Sequence, residues 1–431
     1  MKKAASARAA WGLIDQALSS ASNFFVSGLA AHSLAPGEFG AFALAFAVYL
    51  ILLGVSRALC TEPLAVRYTA QEQAVFDAGA RRAVGSVTVL SLLLGGVCLA
   101  AGLLIGGSAG GALVALGVAA PALLVQDAWR YVFFASGRVR SAVLNDFVWV
   151  LAQVGLFGLM AGGALPRSGP VMIVAWGVGA GLGAVLGLRQ SRLVPAWSSL
   201  SGWLREHSDL GGRFTGEFIA AAGAVHLVSF GIGATAGLAA AGRIRGALLV
   251  FGPLSMMLMA AGVVLLPEFV RNTRLSVDVL TRNARLASWA LLGLSVVWGL
   301  VCLATPASIG QRLLGQNWPG VRSILPQIAV MMCGTGVSVG ATLGLRALGA
   351  ARRSLRARLS IIPVTIVGGV LGAARWDAAG AATGFALASI TGGVIWWRHF
   401  RAAVGEWRLT AEIQSMNAAD MGTPQFEAPA P

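Results

Sequence analysis

Charge is the scarcest ingredient of this sequence. Asp, Glu, Lys and Arg together make up 11% of 431 residues, where a soluble chain carries about a quarter. Val84 to Leu124 and Val171 to Leu188 carry none at all. A water-soluble globular enzyme is excluded on that ground. Lysine is confined to Lys2 and Lys3, so arginine supplies nearly all of the formal net charge of +15. Those arginines sit between apolar runs and form no continuous basic face, which excludes nucleic acid as a partner and gives them a topological role instead. Cysteine is also sparse. Cys60, Cys98, Cys302 and Cys333 make no CxxC pair, which leaves them as packing residues. Metal motif, phosphate-cradling glycine loop and nucleophile elbow are missing too, so the sequence offers no catalytic residues, no metal ligands and no cofactor site.

What is present is hydrophobic sequence, 57% of the chain, in continuous runs of about twenty residues. A backbone in hydrocarbon must satisfy its own hydrogen bonds. Runs of this length, without the period-two alternation of barrel strands, predict helices. Twelve spans are expected, at 11–31, 39–57, 83–106, 111–133, 143–164 and 170–188, then 213–235, 246–266, 286–305, 322–345, 358–375 and 378–398. With the N-terminus in the cytoplasm, only Arg167, Arg243, Arg245, Arg312, Arg322 and Arg375 fall outside. That bias puts both termini inside. The first run holds Asp15, Gln16 and Asn23, is too long for a signal peptide, and reads as an uncleaved helix.

The fold class that follows is all-α and polytopic, about twelve transmembrane helices in two six-helix lobes. The expected division is 1–189 for the first lobe, 190–212 for a linker, 213–400 for the second lobe and 401–431 for a disordered cytoplasmic tail. In the linker, Trp197, Leu200, Trp203 and Leu204 recur at helical spacing beside Arg205, Glu206 and Asp209, which predicts a short amphipathic helix at the cytoplasmic interface. Glycines four apart, among them Gly102 and Gly106, Gly179 and Gly183, Gly340 and Gly344, and Gly368 and Gly372, supply small faces for close helix packing.

Five stretches resemble a known family: WGLIDQALSSASNFFVSGLAAHSLAPGEFGAFALA (11–45), SRALCTEPLAVRY (56–68), QDAWRYVFFASGRVRSAVLNDFVWVLAQ (126–153), GLAAAGRIRGALLVFGP (237–253) and LLGQNWPGVRSILP (313–326). They are similar to the oligosaccharide flippases of the multidrug/oligosaccharidyl-lipid/polysaccharide (MOP) superfamily. The resemblance implies a V of two six-helix lobes around a central cavity and a lipid-linked oligosaccharide, on a prenyl-pyrophosphate carrier, moved to the outer leaflet of a bacterial inner membrane. Its implied partners are that cargo, membrane lipids and polysaccharide-assembly proteins such as a polymerase.

Moving an anionic head group across hydrocarbon needs polar and cationic groups at depth, and arginine suits pyrophosphate because its planar fork donates two hydrogen bonds. The cargo-binding candidates are therefore Arg57, Arg130, Arg243, Arg245, Asn23 and Gln16, and the candidates for coupling to a proton or sodium gradient are Asp15, Glu217, His226 and Asp127. Plainer readings stand beside these. Arg57 can be a snorkelling anchor, Asp127 and Arg130 a local pair three apart, Asp146 an acid at a helix start, and His226 a histidine bonded within the bundle. Outer arginines such as Arg243 and Arg245 can hold lipid phosphates. Two other functions remain open at this stage. Buried carboxylates would suit a multidrug or cation antiporter. A membrane-embedded polymerase or glycosyltransferase would need the large outer loop or soluble domain that the expected short loops do not provide.

Overall fold

The computed structural model describes residues 22–197, 200–219 and 223–420. Asp15 and Gln16, and most of the expected first span, lie outside the described residues. Within them every regular element is a helix. Among the described residues nine helices are long and apolar enough to cross a bilayer, so this is a multi-pass membrane protein.

The chain begins with α1 (22–33), followed by α2 (Pro36–Ser56), a π-helical turn (Arg57–Thr61) and α3 (Glu62–Tyr68). Next come α4 (Gln73–Ile105), α5 (Gly107–Ala135), α6 (Val139–Ala161) and α7 (Gly169–Ser191). Two short helices, α8 (Leu200–Glu206) and α9 (Ser208–Phe218), lead to α10 (Ala224–Ala236), α11 (Leu238–Val250), α12 (Gly252–Leu275) and α13 (Val277–Ala304). The remainder is α14 (Ala307–Leu314), α15 (Trp318–Arg322), α16 (Leu325–Ala347) and α17 (Ala351–Asp420). Helices α2, α7, α12 and α16 each open on a proline, Pro36, Pro170, Pro253 and Pro326, whose missing N–H costs nothing in a first turn.

Helix α17 is two limbs, because Trp376 and Asp377 leave helical geometry, with Asp377 at φ 55. The limbs fold back on each other through glycines. A Cβ on Gly372 would sit 2.3 Å from the carbonyl oxygen of Gly380, and one on Gly384 2.2 Å from that of Gly368. The expected eleventh and twelfth spans are these limbs. The α4–α5 hairpin is built alike, Gly102 against Gly110 and Gly95 against Gly117. Gly106, by contrast, serves the turn at φ 67 and packs against nothing.

Three expectations about elements need correction. The eighth span is not one helix: Phe251 separates α11 from α12, since Gly252 and Pro253 start a new helix more readily than they continue one. Arg243 and Arg245 accordingly lie within α11 rather than in a loop before a span. The tail is not unstructured from 401. The second limb of α17 runs on to Asp420, tied by ion pairs of Arg353 with Glu406 and Arg408 with Asp278, while 421–431 lie outside the described residues.

The chain forms two compact units. Unit 1 is Met1–Arg245 with Gln311–Asn317, and unit 2 is Gly246–Gly310 with Trp318–Pro431. The division thus falls within α11, whereas sequence spacing puts it at 190–212. Close backbone approaches hold α10 and α11 to unit 1. Gly40 meets the Leu238 carbonyl, and Gly242 meets the start of α2. Residues 311–317 join unit 1 through Asn317, which donates to the carbonyls of Ala31 and Leu34 at 2.7 and 2.8 Å. Unit 2 closes on a buried cluster that includes Phe269, Leu280, Ala341, Leu345, Trp396 and Phe400.

The linker helix forms as α8, but its apolar side is docked on protein. Trp203 is fully buried, stacked on His207 at 4.0 Å and on Tyr68 at 5.8 Å. Arg82 donates to Glu206 at 2.5 Å and Arg67 pairs with Asp209 at 2.7 Å. The hydrogen bond from Arg82 holds the Glu206 carboxyl below the usual glutamate range.

Candidate functional site

Unit 1 contains two polar clusters, both touching α2. The first gathers at its C-terminal end. The backbone there widens into the π turn that begins at Arg57, a local irregularity that recurs at functional sites. Arg57 reaches across to α5 and grips Asp127 with both arms of its guanidinium, Nε to Oδ2 at 2.8 Å and Nη2 to Oδ1 at 2.6 Å. Its plane lies 5.1 Å from the centre of the Tyr131 ring. Arg130 stands 3.8 Å from Asp127 and 3.4 Å from Asp146 on α6. Gln126 donates to Asn145 at 3.0 Å and to Asp146 at 2.8 Å, and Asn145 donates to the Gly183 carbonyl at 2.6 Å. Asp146 is fully buried and seven residues inside α6, so the helix-start reading of it is replaced by an ionic one.

Two arginines and two aspartates cancel in this cluster. A bidentate arginine–carboxylate pair is among the strongest charge-assisted contacts. Arg57 and Asp127 are therefore committed to each other, and neither stands open to a ligand in this arrangement. The expected local pair of Asp127 with Arg130 exists as the longer contact, secondary to Arg57.

The second cluster lies on the side of α2 that faces α1 and α11. Arg245 donates to the Ser27 hydroxyl at 2.9 Å and stacks over Phe46, 4.3 Å from the ring centre. Its Nε has no hydrogen-bond partner although buried, and among the described residues it makes no ion pair. Asn23 lies one turn before Ser27 on the same face of α1, and its Oδ1 is buried without a partner. Aromatic rings continue from Phe46. Trp176 stacks on it at 5.5 Å, Tyr49 lies edge-on to Trp176 at 4.5 Å, and Trp149 stacks on Trp176 at 6.4 Å. Gln153 and Ser22 are hydrogen-bonded to each other at 2.7 Å among them.

Tyr49 connects the clusters. It is buried, packs on Phe46 and lies within electrostatic range of Asp127 and Arg57. Phe46 and Arg57 are eleven residues apart on one helix, roughly 16 Å along its axis. Polar and aromatic groups thus run along much of the membrane thickness inside unit 1.

The remaining candidates scatter. Arg243 is half-buried and, two residues from Arg245, points to another face of α11. Glu217 is exposed near the end of α9 and electrostatically close to Glu62. His226 is buried on α10, which packs on α2. Reasoning from sequence missed Tyr49, Gln126, Asn145 and Gln153. Tyr49 and Gln153 are single polar residues in apolar runs, and that isolation was the available signal, whereas Gln126 and Asn145 stand directly before the acids Asp127 and Asp146. Among the described residues no group of His, Cys, Asp and Glu has the makings of a metal site.

No family model matches the chain, and no curated protein is significantly similar to it in sequence. Solved structures do match. A multidrug resistance MATE family transporter of the MOP superfamily, inward-facing, shares 15% identity at TM-score 0.66, covering 90% of this chain and 95% of that one. The lipid II flippase MurJ, inward closed, shares 10% identity at TM-score 0.67 over 92% of both chains. A MOP superfamily transporter from Pyrococcus furiosus, whose binding pocket is described as reversed in polarity, shares 14% identity at TM-score 0.54, over 94% of this chain and 96% of that one. With near-complete coverage on both sides, the chain has the fold of the MOP superfamily transporters.

Proposed function

We propose that this protein is an alternating-access transporter that carries a lipid-linked oligosaccharide, on a prenyl-pyrophosphate anchor, from the inner to the outer leaflet of a bacterial inner membrane. The observation that carries the reading is Arg245, a half-buried cation whose Nε is buried without a hydrogen-bond partner and which, among the described residues, has no carboxylate against it. Unneutralised charge in such a place is costly, and an anionic ligand offsets that cost. Ser27 and Asn23, the latter with its Oδ1 buried and unpartnered, put further polar groups on the α1 side of the same cluster.

The rival within the same fold, a cation-coupled drug antiporter, needs acidic groups free to bind its ion. Asp127 and Asp146 are held by Arg57 and Arg130, which disfavours it. The orientation with both termini cytoplasmic belongs to the same proposal, as does partnership with polysaccharide-assembly proteins.

The test uses protein reconstituted in vesicles with a fluorescent prenyl-pyrophosphate oligosaccharide. The wild-type chain should move the label between leaflets. Arg245→Ala should slow it at least tenfold, and Arg245→Lys should retain part of the rate. Expulsion of cationic dyes by a chain that leaves the glycolipid in place would reject the proposal in favour of the antiporter.

A further inference from the structure

Unit 2 contains a slot that no feature of the sequence announces. About 480 Å³ in volume, it lies between α12, α16 and α17, within the range of small-ligand sites. Its two long walls differ in chemistry. On α16, beside Val339 and Leu343, Thr335, Ser338, Thr342 and Arg346 line it. Their spacing of three, four and four keeps them on one helical face, a polar strip roughly 16 Å long. On α12 the lining is Leu258, Met259, Gly262 and Leu266, an apolar strip at the same periodicity. Trp396, nearly buried, also lines it. Arg358, from the first limb of α17, joins Arg346.

Neither arginine forms an ion pair among the described residues. The hydroxyls of Thr335, Ser338 and Thr342 donate back to the carbonyls of Met331, Gly334 and Ser338, which leaves their oxygens as acceptors toward the slot. Two guanidiniums, that of Arg346 exposed and that of Arg358 half-buried, a row of hydroxyl acceptors and a facing aliphatic wall make an amphipathic cleft. An inorganic anion would leave the aliphatic wall idle, and a plain hydrocarbon would leave the cations idle.

We infer that this slot binds the phosphoryl head of an amphiphile, with Arg346 and Arg358 on the phosphate oxygens, donor groups of the head along the Thr–Ser–Thr strip, and the start of the apolar chain against Met259 and Leu266. Two sources share that chemistry, a prenyl diphosphate and a glycerophospholipid. The inference stands on unit 2 alone and does not require the flippase reading, since binding without movement of the glycolipid would leave it intact.

The experiment is a binding titration of the purified full chain in nonionic detergent with farnesyl diphosphate, phosphatidylglycerol and inorganic pyrophosphate in turn. The expected result is saturable binding of at least one amphiphile, weakened at least fivefold by R346Q or R358Q and lost in the double variant. Inorganic pyrophosphate should bind at least tenfold more weakly than the better amphiphile. Which amphiphile binds tighter assigns the source. Gly262→Leu provides a second variant that leaves both arginines in place. A Cβ there meets only Leu343 at 3.9 Å, so the added side chain fills the slot without a clash and should abolish binding while the thermal midpoint is kept. Arg352, exposed and outside the slot, is the control, and R352Q should bind as wild type. Undiminished binding in the double variant or in Gly262→Leu, or equal loss in R352Q, would overturn the proposal.

Discussion

Asp127 shows how much a single residue decides in the ionic cluster of unit 1. It takes both arms of Arg57 and stands within reach of Arg130, with its side chain only 9% exposed. Removing one partner of a buried pair strands the other charge, at a cost of about 3–5 kcal/mol. Asp127→Ala should therefore lower the thermal midpoint sharply in detergent. Arg57→Ala with Asp127→Ala together should cost clearly less than the sum of the single changes, a coupling that a double-mutant cycle reads directly. Additive losses would mean that the contact carries no energy. This residue also marks a limit of reading sequence. The helical offset of three between Asp127 and Arg130 is legible. The partner seventy residues away is not, because nothing local specifies which faces of α2 and α5 meet. The same limit hid the setting of Arg245. Its outer-side position, against the positive-inside bias, made it a candidate, but its isolation from carboxylates among the described residues is a tertiary fact.

At the scale of elements, hydrophobic run length located the described spans well, since the bilayer imposes one physical requirement on every crossing helix. Breaks were harder to see. Gly252–Pro253 interrupts what reads as one apolar span, and α4 extends ten residues before its expected start because Phe76, Ala80 and Ala83 are buried against neighbouring protein. Glycine faces were legible as packing, and Gly368, Gly372, Gly340 and Gly344 all meet another helix closely. The clasp formed by residues 311–317 was not. In it, Gly315 holds φ 55, and a Cβ would lie 2.2 Å from the carbonyl oxygen of His32. Both the backbone region and the contact exclude a side chain. Gly315→Ala should destabilise unit 1 by a few kcal/mol, about 1 from the backbone and the rest from displacing α1. Hydrogen exchange at 22–36 should rise in that variant. Unchanged protection there would show that the clasp is dispensable.

For the whole molecule, the fold and its membrane character followed from composition and spacing, whereas the way the chain is shared between the two units did not. Unit 1 takes in a short segment that the chain reaches only after the first stretch of unit 2, Gly246–Gly310, has been made. Asn317, buried, closes the end of α1 by donating to two carbonyls there. Nascent chains arrested at Leu300 should thus be cut by protease near Leu34 and Ala35, and chains arrested at Ser360 should resist. Equal resistance in both would mean that α1 settles without the clasp. Once translation passes Arg245, the stretch Gly246–Gly310 takes on the order of 10 s to synthesise before the clasp segment follows. For that time the growing polypeptide waits in the insertion machinery with its oldest segment unfastened, so maturation of the early half is timed by synthesis of the late half.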